Sequence, residues 1–254
     1  ISRVDRVSLG LQSKYVRTTE EGVVPRYTTN NVRLEYTEDS RDDLLNPSDG
    51  QFLQGALEYA GGVLGGRNEF ERLTANWHVY LSPADRWTVA ARLKGGEIQP
   101  FGRGPVSRGD TDTLSLSRVP WEERFRVGGG TTIRGYGEDL VGRRNEAGRA
   151  IGGRVLLLAN VELRFPVFSI VQGAVFLDGG NVWADPAEFK LAAFSRGLSN
   201  GSHSPLHVAY GAGGGIRVLT PVGPFRVDYG VKVGSGRAPG EGRGSIHVAL
   251  GQAF

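Results

Sequence analysis

Residues 225–233 read Phe-Arg-Val-Asp-Tyr-Gly-Val-Lys-Val, an unbroken alternation of apolar residues with charged or small ones. Successive side chains of a β-strand point to opposite faces of its sheet, so this segment predicts a strand with one apolar and one polar face. The same period of two recurs along the whole chain. We predict ten strands, at residues 3–17, 27–38, 51–62, 69–81, 86–97, 150–165, 168–178, 206–219, 224–234 and 244–254.

Several of these strands exceed the length of about five or six residues that is usual in soluble proteins. They match the roughly 9–11 residues of a tilted membrane strand. Short links at 82–85 and 166–167 alternate with long ones at 98–149 and 179–205, an asymmetry typical of outer-membrane barrels. A soluble β-sandwich also alternates apolar and polar faces and stays open as the alternative. Strand length, loop asymmetry and the charged polar faces favour the membrane barrel.

The composition narrows the possible functions. The 254 residues include 39 glycines and 12 prolines, which indicates an all-β chain with many turns and bends. There is no cysteine, so a disulfide framework or a thiolate metal site is excluded. The 30 basic and 27 acidic residues form no like-charged run that would indicate nucleic-acid binding. The chain starts at Ile1 and lacks methionine, which is typical of a processed or truncated product.

Five motifs occur in a fixed order along the chain. They are Asp-Ser-Arg-Asp at 39–42 with Pro47 and Gly50, Trp-Glu-Glu-Arg-Phe at 121–125 followed by Val-Gly-Gly-Gly-Thr-Thr-Ile-Arg-Gly-Tyr at 127–136, Val-Glu-Leu-Arg-Phe-Pro at 161–166, Val-Phe-Leu-Asp-Gly-Gly-Asn-Val-Trp at 175–183 and Gly-Pro-Phe-Arg-Val-Asp-Tyr-Gly at 223–230. With these motifs the chain resembles the BamA/TamA-type superfamily of outer-membrane protein assembly and two-partner secretion, the bacterial surface antigen family.

The resemblance implies a role for the segment Arg134-Gly135-Tyr136. In the family this motif is the tip of a long loop, here 98–149, that folds back into the barrel lumen. Its arginine meets acidic groups on neighbouring strands, which here are Glu162 and Asp178. Alternation places both carboxylates on polar strand faces, and a guanidinium pairs bidentately with a carboxylate. Supporting positions are Phe176, Gly129 and Gly130; the ordinary alternative is that Arg134 is a solvated loop residue.

The last segment alternates apolar residues and ends on an aromatic residue. It resembles the signal that outer-membrane barrels present to their assembly machinery, by adding an edge strand to another sheet. The family mechanism makes this strand one side of a lateral seam. An ordinary closing strand is the simpler interpretation. The residues concerned are Ile246, Val248, Leu250, Gly251 and Phe254.

Three other sequence patterns do not support a catalytic or metal site. Residues 197–201 match the G-x-S-x-G pattern of hydrolases, but the required strand–turn–helix context is missing. His203 and His207 are separated by Pro205, which argues against a helical zinc site. The acidic turn around Asp42 is expected to be solvated. We predict no catalytic residue, no metal and no cofactor.

Taken together, the sequence predicts an all-β, antiparallel transmembrane barrel that forms one domain over residues 1–254. By resemblance these are the C-terminal ten of sixteen strands, without the periplasmic repeats that precede them in relatives. The predicted function is to insert, assemble or translocate other proteins in the bacterial outer membrane. Predicted partners are membrane lipid, client polypeptides bound by strand addition and the assembly machinery, with no nucleic acid. Two alternatives stay open: a membrane anchor for a patatin-like enzyme domain, and a passive pore.

Overall fold

The computed structural model of the protein describes residues 3–17, 26–102, 116, 118–145, 148–199, 203–236 and 241–254. Ten strands dominate it, and all ten correspond to predicted segments, so the antiparallel all-β prediction is confirmed. A short helix, α1 (Ala192–Leu198), follows the seventh strand. The strands are β1 (Val4–Arg17), β2 (Arg26–Asp39), β3 (Gly50–Ala60), β4 (Phe70–Ala84), β5 (Trp87–Pro100), β6 (Val155–Phe168), β7 (Val171–Trp183), β8 (Ala209–Val218), β9 (Phe225–Val233) and β10 (Gly244–Leu250).

The strands form one sheet in which each pairs with its neighbours in sequence, from β1 to β10. The pairing of β1 with β2 runs the full length of β1, from Val4 opposite Asp39 to Arg17 opposite Arg26. β10 is shorter and pairs with β9 over seven residues. In the described part of the chain, β1 and β10 are each paired on one side only. Each therefore presents a free row of backbone N–H and C=O groups.

The two ends of the sheet differ. Turns at 40–49, 85–86, 169–170 and 219–224 join strands at one end, and longer segments such as 101–154 and 184–208 join them at the other. β1 begins and β10 ends on the short-turn side, because Val4 lies opposite Asp39 and Leu250 opposite Phe225. The predicted asymmetry of turns and loops is present.

Several predicted boundaries are wrong; β7, for example, runs to Trp183 and does not stop at residue 178. β5 continues through Ile98 to Pro100 and β6 starts only at Val155, so the long loop comprises residues 101–154 and not 98–149. Residues just before β6 fold onto the loop instead, where Gly153 and Phe125 exchange backbone hydrogen bonds of 2.9 and 3.0 Å.

The last strand is also shorter than predicted. β10 stops at Leu250 and does not reach Phe254. The backbone N–H of Gly251 donates to the carbonyl of Pro224 at 2.7 Å, and the final residues leave the sheet.

The outward face of the sheet is apolar. On β7, for example, Val175 and Leu177 are about half exposed while Phe176 and Asp178 between and beside them are buried. A continuous apolar face of this kind suits lipid and not water. Every strand contributes an exposed aliphatic side chain to it: Leu9, Leu34, Leu57, Leu73, Leu93, Val161, Leu177, Ile216, Val227 and Val248.

The long loop packs against the inward face of the sheet from β3 to β8. One apolar cluster joins loop residues to β6, β7 and β8, and a second joins Val119 and Phe125 to β3, β4 and β5. Among the described residues, no helix has the length and apolar character needed to cross a membrane. The first cluster comprises Val127, Ile133, Tyr136, Val141, Leu156, Leu158, Val182 and Ala209.

Candidate functional site

The long loop returns into the interior and presents Arg134 to the inner face of the sheet. Two successive tight turns shape this part of the loop. In the first, the N–H of Thr132 donates to the carbonyl of Gly129 at 3.2 Å. In the second, the N–H of Tyr136 donates to the carbonyl of Ile133 at 3.4 Å. Arg134 lies within the second turn, so its backbone is held as well as its side chain.

Asp178 of β7 is the main partner of Arg134. The guanidinium donates from Nε to Oδ2 at 2.8 Å and from Nη2 to Oδ1 at 2.9 Å. The backbone N–H of Arg134 donates to Oδ2 at 3.0 Å. Asn160 of β6 adds a bond of 2.8 Å to Oδ1. This is the bidentate fork geometry that the guanidinium group permits.

Two further strands complete the surroundings of Arg134. Nη1 donates to Oε2 of Glu162 on β6 and lies 3.5 Å from Oδ2 of Asp228 on β9. The guanidinium carbon is 3.4 Å from the ring centroid of Phe176, a cation–π contact. One loop side chain therefore contacts β6, β7 and β9.

Three more arginines extend these contacts. Arg164 Nε donates to Glu162 at 2.8 Å, and Arg217 Nη2 donates to the same carboxylate at 2.9 Å. Arg217 also donates to Asp228, as does Arg226 at 2.8 Å. All seven side chains are at most 1% exposed. We call this set the interior ion network: Arg134, Arg164, Arg217, Arg226, Glu162, Asp178 and Asp228.

Sequence reasoning named only part of the interior ion network and missed the roles of Asp228, Arg217 and Arg226. A signal for two of them was available, because Asp228 and Arg226 alternate on the polar face of residues 225–233. The role of Arg217 was harder to recognise. It follows the glycines of residues 211–215, which carry no clear alternation.

The network keeps Arg134 charged. Burial by itself would lower the pKa of Arg134, but the hydrogen bonds and charge of Asp178, and then of Glu162, raise it above its ordinary value. Buried charges are tolerated only when they are paired and hydrogen-bonded. Asp178 depends most on Arg134, because the other two carboxylates each bind two further arginines.

The remaining residues of the tip contact the edge strand and the core. Gly135 has φ of +95°, a conformation that favours glycine. Its N–H donates to His247 Nε2 on β10 at 3.1 Å, and Ser245 Oγ donates to its carbonyl at 3.3 Å. Tyr136 is 2% exposed in the apolar cluster, with Lys232 Nζ 4.9 Å from its ring centroid. The tip thus connects β10 to the interior.

Gly129 and Gly130 take part through their backbones. The N–H of Gly130 donates to Glu138 Oε1 at 3.1 Å, and its carbonyl accepts from Arg226 Nη2 at 2.9 Å. A Cβ on Gly129 would lie 2.1 Å from Glu138 Oε1. These contacts tie the first tight turn to the network.

Glycines of the wall make room for the loop. A Cβ on Gly211 of β8 would lie 2.0 Å from the carbonyl oxygen of Arg134. A Cβ on Gly230 of β9 would lie 2.5 Å from the backbone nitrogen of Gly135. From the sequence, glycines in strands are expected to mark bends and turns. These two instead permit the close approach of another backbone.

The C-terminal residues separate into two groups. Ile246, Val248 and Leu250 are exposed on the outward face of β10. Phe254 lies beyond the strand, with its ring edge-on to His78 of β4 at a centroid distance of 6.0 Å. Their part in a seam or an assembly signal stays a prediction.

The hydrolase pattern lacks its required context. Ser199 follows the helix α1 instead of preceding one, and its Oγ donates to the carbonyl of Arg196 at 2.8 Å. Asn200 and Gly201 lie outside the described residues.

The interior ion network predicts a large effect of Asp228→Asn. The change keeps the shape of the side chain but leaves Arg217 and Arg226 without their shared carboxylate. Removing one partner of a buried ion pair costs about 3–5 kcal/mol. We expect a corresponding loss in the free energy of unfolding, measured by urea titration in lipid vesicles. Asp139→Asn, at an exposed loop position, is the matched control, and equal stability of both variants would contradict the prediction.

Comparison with protein families matches residues 5–254 to the family described as the Omp85 superfamily domain. The outer membrane protein assembly factor BamA of Nitratidesulfovibrio vulgaris is 27% identical over 88% of the chain and 25% of its own length. The chloroplastic outer envelope protein 39 of Arabidopsis thaliana is 33% identical over 43% of the chain and 26% of its own length. The chain spans about a quarter of these two relatives.

The fold matches a solved barrel. BamA from Haemophilus ducreyi lacking POTRA domains 1–3 superposes with a TM-score of 0.65 over 90% of this chain and 42% of that one. The two sequences are 17% identical, so this similarity concerns the fold.

Proposed function

The chain belongs to the Omp85 superfamily, and from that premise we propose that it is the client-handling part of an outer-membrane barrel that assembles or translocates other proteins. The relative in Nitratidesulfovibrio vulgaris is an outer membrane protein assembly factor. We assign this chain to the same broad activity.

One observation carries the proposal: the tip of the long loop contacts the edge strand of the sheet. Gly135 bonds His247 and Ser245 of β10, while the adjacent Arg134 is fixed to β7 by Asp178. The tip thereby links the edge strand to the middle of the sheet. We infer that the anchored loop sets the position of β10.

The edge of β10 suits a client strand. In the described part of the chain its second side is unpaired, and a free strand edge is a template for β-augmentation. An incoming segment of a client protein would add to this edge through backbone hydrogen bonds, so binding would tolerate many client sequences. Strand addition makes no covalent bond, so it needs no catalytic group. It needs an edge that is held in place yet accessible.

We further propose that these are the last ten strands of a sixteen-stranded barrel. The free edge of β1 would then pair with a preceding strand. The 42% coverage of the solved BamA chain and the exposure of β1 on both faces support this arrangement.

The proposal predicts faster insertion of client barrels. The intact protein, expressed in full from its gene and placed in lipid vesicles, should accelerate the folding of an unfolded outer-membrane client several-fold over empty vesicles. Client folding is read from its heat-dependent migration in gels. An unrelated porin in the same vesicles is the control. Client folding no faster than with the porin, together with a steady conductance that is indifferent to Arg134 substitution, would contradict the proposal and favour a passive pore.

A further inference from the structure

The first part of the long loop reaches the wall opposite the interior ion network. The turn Trp121–Glu123 presents Glu123 to β1 and β4. Lys14 Nζ of β1 donates to Glu123 Oε1 at 2.9 Å. Arg72 Nη2 of β4 donates to Oε2 at 2.7 Å and to the backbone carbonyl of Glu123 at 2.8 Å. Neither Arg134 nor its carboxylates take part in these contacts.

Burial makes this contact stronger than an ordinary surface ion pair. The side chains of Glu123 and Arg72 are 10% and 15% exposed, so water and salt screen their attraction weakly. Arg72 is held in turn by Glu58 at 3.0 Å and lies 5.0 Å from the ring centroid of Phe70. Burial would raise the pKa of Glu123, but the hydrogen bonds from Arg72 and Lys14 lower it. Glu123 is therefore ionised at neutral pH.

A polar cavity lies beside Glu123. It has a volume of about 310 Å³ and is bounded by β1, β2, β3 and β4 on one side and by Glu123 on the other. The cavity is large enough for several water molecules. Gln12, Asn31, Arg33 and Glu58 line it, so its walls are charged and hydrogen-bonding.

We propose that Glu123 is a second anchor of the long loop, which then spans the interior from β1 and β4 to β6–β9. The first anchor at Arg134 and the second at Glu123 hold the two walls at a fixed separation. The loop segment between them obstructs the interior of the barrel beside the cavity. Glu123 is a positioning residue that limits the water-filled cross-section of the barrel. The inference deepens the proposed function and rests on the anchored loop being part of it.

Glu123→Gln tests this inference because it removes the charge and keeps the shape. The 254 residues contain no cysteine, so spin labels at Leu34→Cys and Val175→Cys report one distance across the barrel in the intact protein. Both positions are about half exposed on the outward face. In Glu123→Gln we expect a broader distribution of the distance between the two spin labels, measured by double electron–electron resonance. We also expect an increase in single-channel conductance.

Controls separate this result from general loosening. Asp139→Asn removes a carboxylate from an exposed position of the same loop and should match the parent protein in both measurements. Lys14→Gln removes one of the two cations that bind Glu123, so it should shift both measurements in the same direction but by a smaller amount. If Glu123→Gln does not fold, Lys14→Gln provides the test in its place. An unchanged distribution and conductance in folded Glu123→Gln would overturn the second anchor. Client insertion is a separate readout, so failure of the proposed function is distinguishable.

Discussion

Replacing Arg134 with alanine is expected to reduce client insertion by at least about tenfold. The substitution removes the guanidinium from Asp178, whose buried carboxylate keeps the hydrogen bonds from the side chain of Asn160 and from the backbone N–H of residue 134. Breaking a buried ion pair costs about 3–5 kcal/mol, and each 1.4 kcal/mol is tenfold in an equilibrium. The docked position of the long loop should therefore lose most of its stability relative to undocked positions. Insertion of the barrel itself should persist, because its outward apolar face is unchanged.

The measurement for Arg134→Ala combines two readouts. Heat-dependent migration in gels shows that the variant is folded in the membrane, and the rate of client folding in vesicles shows its activity. Arg134→Lys is the matched variant, since it keeps the charge but loses the bidentate fork. It should fall between the parent protein and alanine. Parental client insertion by folded Arg134→Ala would refute the anchoring role of Arg134.

Gly211→Ala is expected to displace the loop without removing any charge. The new Cβ would lie 2.0 Å from the backbone oxygen of Arg134, far inside van der Waals contact. That oxygen belongs to the main chain and cannot turn away like a flexible side chain. Overpacking of this kind costs about 1–3 kcal/mol or more. We expect a loss of client insertion in the same direction as in Arg134→Ala, with greater protease sensitivity of the loop.

Gly10→Ala is the control for Gly211→Ala. Gly10 is also a glycine within a strand, and it borders the polar cavity. An added Cβ would find only the carbonyl of Arg33, at 3.9 Å. This variant should behave like the parent protein. If the two alanine variants have equal activity, close backbone approach at β8 does not matter for the loop.

The strands were predictable because their signal is local. A period of two is readable within one segment such as residues 225–233, and the outward half of each strand carries exposed apolar side chains. The antiparallel fold and the outer-membrane barrel are confirmed, the latter by superfamily membership and the fold match. The wrong boundaries at Val155 and Leu250 lie where the chain leaves the ladder to bond with a distant segment, and alternation carries no information on that event.

The interior contacts were predictable only in part. Glu162 and Asp178 were identified through motif resemblance together with strand parity. Arg217 and Glu123 join strands or loops that are far apart in sequence, and each pairing depends on how the sheet curves around the loop. The role of Gly211 is equally non-local, since a glycine's purpose depends on what approaches it. Such contacts need the three-dimensional arrangement.

The most direct test of the account is a double-mutant cycle between Arg134 and Asp178, read as the rate of client insertion. Arg134→Ala and Asp178→Asn would be compared singly and together. If the pair acts as one anchor, the double variant should insert clients no more slowly than Arg134→Ala alone, because the second change removes the orphaned carboxylate. Losses that add in the double variant would contradict the claim that this ion pair holds the loop for function.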